Sequence, residues 1–283
     1  QEIPTMQHTT GSFTARDGLT IYTESWLPDS PPRAVVLIVH GLGEHIGRYA
    51  HVAPHMVEAG YAVYGLDHRS HGKSGGADRA HFDRFDDVLV DLKQFFDSIK
   101  AAQPGLKIFL YGHSLGSIIT LAFTLRHQSE IAGILISGTP LDLDTVQPAL
   151  LLSVAAVLNS IVPKAAITPP LPAETLSRDP AVVHAYDADP LVYHGKVRIS
   201  IGHQIISTSR DIKARLREFT LPIYIFHGTD DKICPPRGSQ TLYDGVASTD
   251  KTLKFYEGLR HETHNEPEQA EVIANMINWL NAR

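Results

Sequence analysis

The chain has 283 residues, 43% of them hydrophobic and 20% charged, enough apolar material for a sizeable globular core. Lys+Arg 25 against Asp+Glu 31 gives a formal charge of −6, so no basic surface dominates and nucleic acid is excluded as a partner. Its one cysteine, Cys234, excludes an internal disulfide framework.

The opening residues, QEIPTMQH, carry no cationic stretch followed by an apolar run, so no secretory leader is read there. SFTARDGLTIYTESW (12–26) reads as two strands turning at Asp17-Gly18. Six further β-rich runs follow: RAVVLIVHG (33–41), YAVYGLD (61–67), KIFLYGHS (107–114), IAGILISG (131–138), LPIYIFHG (221–228) and TLKFYEG (252–258). These are almost continuously apolar, as parallel strands buried on both faces must be. Between them lie helical stretches such as FDDVLVDLKQFFDSIKAA (85–102), with apolar residues at i, i+3, i+4 and i+7. The alternation predicts an α/β fold: a mostly parallel eight-stranded sheet, its first two strands antiparallel, flanked by helices.

Some eighty residues without a clear strand separate Ser137 from Pro222, too long for one crossover. A cap insertion over about 141–200 within a single domain spanning 1–283 is therefore expected. Its most apolar piece, ALLLSVAAVLNSIV (149–162), is broken by Ser153, Asn159 and Ser160 and is shorter than the roughly 20 residues of a spanning helix. It is expected to form an apolar helix resting on membranes or micelles.

YGHSLGS (111–117) holds G-x-S-x-G as Gly112-His113-Ser114-Leu115-Gly116. The motif follows a predicted strand and opens a helical pattern, the setting of a nucleophile elbow, which forces Ser114 into strained geometry and lifts its Oγ above the sheet. A serine hydroxyl needs a base, and its oxyanion intermediate needs donors. HGLGEH (40–45), directly after the third predicted strand, is placed to supply one donor, so the backbone N–H groups of Leu42 and Leu115 are the candidate oxyanion hole.

In this architecture the order is serine, acid, histidine. FHGTDDKICPP (226–236) offers Asp230 or Asp231, and GLRHETHNEPE (258–268) offers His261 or His264, each after a predicted strand. A metal reading of the two histidines fails because H-E-T-H is spaced i, i+3 where a helical ligand pair needs i, i+4. His51 and His55 have that spacing, but Pro54 lies between them and no third ligand suggests itself. Asn265 and Glu268 have capping-box spacing, so the last helix is expected from about Glu266, burying Ile273, Met276, Ile277 and Leu280. His261 then lies on the loop directly off the last strand, while His264 lies just outside the cap and is expected to be neutral.

Taken together, HGLGEHIGRY, GHSLGS, LSRDP, YDADPL, HGTDDKICPPRGS and KTLKFYEGLRHETHNEP resemble the monoacylglycerol lipase family of α/β-hydrolases, from about Ala34 to the C-terminus. The resemblance implies a cofactor-free and metal-free serine hydrolase that releases fatty acid and glycerol from monoacylglycerols, with Ser114 as nucleophile, Asp231 as acid and His261 as base. It implies substrate contacts from Glu44, Arg48 and His264, and from Tyr186 in the cap. Leu115 and Ser117 stand where the family usually has Met and Gly, and because the role of Leu115 rests on its backbone N–H the chemistry is expected to survive. A cytoplasmic protein with peripheral membrane contact through the cap, and a Cys234 thiol near the acyl pocket, complete the expectation. A broader carboxylesterase or lysophospholipase would use the same triad. Haloalkane dehalogenases and epoxide hydrolases carry Asp at the elbow, and a hydrolase-like binding protein would commonly lack a triad member.

Overall fold

The computed structural model describes residues 6–146, 165–168 and 171–283. Strands β1 (Met6–Thr14) and β2 (Thr20–Pro28) form an antiparallel ribbon, turning where Gly18 adopts φ 89°. Then come β3 (Ala34–Val39), β4 (Tyr61–Leu66), β5 (Ile108–His113) and β6 (Gly133–Ser137), and after the insertion β9 (Ile223–Gly228) and β10 (Lys251–Tyr256). The eight make one sheet in the order β1-β2-β4-β3-β5-β6-β9-β10, parallel from β4 onward.

Burial on both faces explains the unbroken apolar runs. Along β3, Val35, Leu37 and Val39 pack on one face while Val36 and Ile38 pack on the other. The first face is covered by α2 (Phe85–Ala102), through Leu92 and Phe96, and by α3 (Leu115–His127), through Ile118, Ile119 and Phe123. The second is covered by α1 (Val52–Glu58), through Val52 and Met56, and by the C-terminal helix, through Ile273, Met276 and Leu280. Each such large side chain contributes about 1.5–3 kcal/mol by leaving water. The chain leaves β3 for β4 on one side and reaches β5 on the other, so order reverses at β3, where open α/β sheets place their sites at the strands' C-terminal ends.

Within the insertion, α4 (Leu143–Val146) leads to residues outside the description, which take in the expected apolar helix at 149–162. Beyond them β7 (Ala166–Thr168) pairs antiparallel with β8 (Val197–Arg198), strands of three and two residues, too short to show a sequence period. Between these two, α5 (Pro180–Ala188) starts on a capping bond from the Ala181 N–H to Asp179. Helix α6 (Ile199–Ala214) returns toward β9 and packs Ile201, Ile205 and Ile212 into the main core. Among the described residues no helix is long and apolar enough to cross a membrane.

The chain end differs from expectation. A 3₁₀ turn spans Thr263–Asn265, and the last two helices are α7 (Arg237–Gly245) and α8 (Gln269–Asn281). Glu268 is the residue before α8 and makes no side-chain cap bond. The capping box fails because its members are taken: the Asn265 amide donates to Glu262 Oε2 at 2.7 Å, and Glu268 pairs with Arg178.

Candidate active site

Strand β5 runs straight into Ser114, whose φ of 52° and ψ of −122° are strained for a residue with a Cβ, a conformation costing about 1–3 kcal/mol. Flanking glycines make the turn possible. A Cβ on Gly112 would lie 2.5 Å from the Gly116 carbonyl oxygen, and one on Gly116 would lie 1.9 Å from that of Val39. Leu115 is the first residue of α3, so its N–H has no partner within the helix and is free to bind an anion.

Facing Ser114 is the loop after β3. A Cβ on Gly41 would come within 3.2 Å of Ser114 Cβ and 2.8 Å of Glu44 Oε1, so only glycine lets this loop approach. Both ends of Gly41 are tied: its N–H donates to Glu44 Oε1 at 2.6 Å, and its carbonyl accepts from His40 Nδ1 at 2.8 Å. The His40 tautomer is fixed, since Nε2 accepts the His68 backbone N–H at 3.0 Å. Because the Gly41 C=O and the Leu42 N–H share one planar peptide, holding the carbonyl sets where that N–H points. Tyr49 adds a hydroxyl to Glu44 Oε1 at 2.9 Å.

Asp231 is buried at the end of β9, and its Oδ2 accepts from His261 Nδ1 at 2.7 Å. Oδ1 accepts the backbone N–H groups of Ile233 at 2.8 Å and Cys234 at 2.9 Å. Burial alone would raise the Asp231 carboxyl, but His261 and His227 beside it hold it far below the usual range. Burial likewise works against the His261 imidazolium, yet the Asp231 charge and hydrogen bond prevail and its pKa is raised. Asp230 instead turns outward and pairs with Lys232. Cys234 is buried, and burial with the nearby Asp231 charge pushes its thiol well above its ordinary value, so it is not a thiolate at neutral pH.

Ser114, Leu42, Leu115 and His261 all line one cavity of about 820 Å³. Leu143, Leu171, Val197, Ile199, Ile205 and Ile206 give it an apolar wall, and Cys234 also lines it. Glu44, Arg48, Glu262 and Tyr186 form a charged part. Arg48 donates to both Glu262 oxygens at 2.6 and 2.7 Å and to Glu44 Oε2 at 2.9 Å, and its guanidinium lies 4.9 Å from the centre of the Tyr186 ring. Burial disfavours the charge on Arg48, but the two carboxylates more than restore it. Burial also raises Glu262, yet Arg48 beside it brings its carboxyl well below the usual range. Glu44 is raised, by burial first and then by Glu262, against the opposing pull of Arg48.

Two expected contacts sit differently in the protein. Glu44 is first a tether for the loop after β3, with both oxygens already accepting protein donors. His264 does not line the cavity: it is fully buried, stacked 5.0 Å from Tyr49 and edge-on at 4.9 Å to His113, with Nδ1 3.1 Å from the Tyr111 hydroxyl. It is neutral, as expected, but burial is the main reason, pushing its pKa down to about 3. Three residues whose side chains hydrogen-bond site groups escaped the sequence reading: His40 on Gly41, His227 on Asp231 and Glu262 on Arg48. Glu262 follows the candidate base His261, and His40 and His227 each lie in a segment already quoted for the site, HGLGEH and FHGTDDKICPP, which is the signal the sequence carried. Among the described residues no group of His, Cys, Asp and Glu is arranged to hold a metal.

Against known proteins, the family model described as Serine aminopeptidase, S33, matches residues 30–268. A monoacylglycerol lipase of Mycolicibacterium smegmatis is 39% identical over 270 residues, covering 95% of this chain and 95% of that protein. The monoglyceride lipase of Homo sapiens is 32% identical over 271 residues, 94% of this chain and 88% of its own length. The crystal structure of Paleococcus ferrophilus monoacylglycerol lipase matches with a TM-score of 0.80 at 28% identity, covering 97% of this chain and 98% of that one.

Proposed function

From the premise that the chain belongs to the serine aminopeptidase S33 family, and within it to the monoacylglycerol lipase family of α/β-hydrolases, we propose that it cleaves monoacylglycerols to a fatty acid and glycerol through an acyl-enzyme on Ser114. His261, with Nδ1 held by Asp231, takes the Ser114 proton on Nε2 as Oγ attacks the ester carbonyl. The N–H groups of Leu42 and Leu115 receive the oxyanion, and His261 then returns the proton to the departing glycerol oxygen. Water, activated by the same imidazole, releases the fatty acid.

The observation that carries the substrate reading is the cavity itself, which joins Ser114 and His261 to an aliphatic wall for one acyl chain and to a polar patch at Arg48 and Tyr186 for glycerol. A lysophospholipid would need a cation with spare charge for its phosphate, whereas the cavity's Arg48 is matched by Glu44 and Glu262, and its Arg198, Arg210 and Lys232 are paired with Asp78, Asp144 and Asp230. An aminopeptidase would need a free carboxylate for the substrate ammonium, and Glu44 and Glu262 are committed to Arg48. A kcat/KM panel of monoacylglycerols, a lysophospholipid, aminoacyl anilides and p-nitrophenyl esters tests the reading. Monoacylglycerols are expected to lead among lipids; preference for the lysophospholipid or the anilides overturns it.

A further inference from the structure

We propose that His227 is a positioning residue that shares the Asp231 carboxylate with His261 and so holds down the basicity of the catalytic imidazole. His227 ends its ring, fully buried, with Nε2 2.8 Å from Asp231 Oδ2 and 3.1 Å from the Cys234 carbonyl oxygen. Both are acceptors, so Nε2 carries the proton. Nδ1 lies 2.7 Å from Ser239 Oγ on α7, which stops the ring from turning. Oδ2 therefore receives two imidazole N–H groups, at 2.7 Å from His261 and 2.8 Å from His227, while Oδ1 is filled by backbone donors. An oxygen that already accepts one short bond offers less charge to the second donor, so His227 takes stabilisation that would otherwise reach the His261 imidazolium.

The other groups around this pair do not offset that sharing. His113, from the end of β5, lies tilted 4.7 Å from His261 and is held neutral, first by burial. His264, on the same loop as His261, is also neutral, and the Cys234 thiol beside Asp231 stays protonated. Glu262 and Glu44 favour the His261 charge, but both are engaged by Arg48, which lies behind them. Asp231 thus controls when His261 titrates, and His227 is the side chain besides His261 that controls Asp231.

The inference rests on the Ser114–His261–Asp231 assignment but not on the alcohol released. The test is therefore the pH profile of kcat/KM on p-nitrophenyl butyrate, so failure on monoacylglycerols would overturn the substrate reading and leave this one standing. His227→Leu removes the donor at similar bulk, and His227→Gln keeps an N–H for Oδ2. In His227→Leu the acid limb should move up by roughly half to one pH unit, whereas His227→Gln should stay near wild type. An unmoved limb in folded His227→Leu, or equal shifts in both variants, overturns the proposal. Should His227→Leu not fold, Ser239→Ala, which unlocks the ring, should show a smaller shift in the same direction; no shift there overturns it equally.

Discussion

Ser114 and His261 line the same cavity as the Arg48 cluster, yet the Asp231–His261 pair and that cluster treat buried charge in opposite ways. Asp231 is met by two imidazoles and two backbone N–H groups, donors that carry no fixed charge, so the nearby proton on His261 remains movable. Arg48 is met by two carboxylates: its pairing with Glu262 holds both groups in their charged forms, while burial and Glu262 raise the Glu44 carboxyl. Removing one member of such a buried set costs about 3–5 kcal/mol because its partners are left unpaired. On the proposed mechanism one cluster passes a proton and the other holds a shape, which separates turnover from recognition within a few residues of chain: His261 belongs to the first and Glu262 to the second.

The sharpest way to break this contrast is at the acid. Asp231→Asn should cut kcat about 10⁴-fold on every ester by spoiling the imidazole tautomer, while Asp230→Asn should stay near normal. Near-normal turnover by Asp231→Asn with a dead Asp230→Asn would reverse the assignment. Next comes the proton itself. Since His261 must be neutral to act as base and its pKa is raised above the ordinary 6.5, kcat/KM should climb with pH through an inflection above that value. An inflection below 6.5 would mean that the Asp231 charge does not reach the ring.

His264 sharpens the boundary between the two clusters. From its place behind His113 and Tyr49, His264→Ala should lower kcat/KM several-fold, on the order of the loss of one buried hydrogen bond, equally for monoacylglycerols and p-nitrophenyl esters. A rise in KM confined to monoacylglycerols would restore the expected direct contact with glycerol. Cys234→Ala should change least, retaining turnover, because the thiol is protonated and Ser114 is the proposed nucleophile; an inactive, well-folded variant would contradict that.

The sheet was legible because its central strands β3, β4, β5, β6 and β9 are buried on both faces and its helices on one, so the apolar runs and the 3.6-residue period come through in sequence, as at 85–102, where the helix falls on the predicted residues. The elbow was legible because Gly112 and Gly116 are forced by contacts under 3 Å. What stayed hidden depends on which donor reaches which acceptor in three dimensions. Nothing local says that Asn265 abandons its capping bond for Glu262, or that Glu44 reaches back to the Gly41 N–H. His227 and His40 read as ordinary strand-end residues until Asp231 and Gly41 are seen against their ring nitrogens.

The separation of turnover from recognition is tested most directly by one ratio: kcat/KM for a monoacylglycerol over that for a p-nitrophenyl ester of the same acyl chain, measured in Asp231→Asn and in Arg48→Lys. The lysine keeps the buried charge and loses the two-pronged grip on Glu262. Asp231→Asn should collapse both terms and leave the ratio unchanged, whereas Arg48→Lys should lower the ratio about tenfold while the p-nitrophenyl ester is still turned over. A ratio that changes in Asp231→Asn and holds in Arg48→Lys would contradict the account.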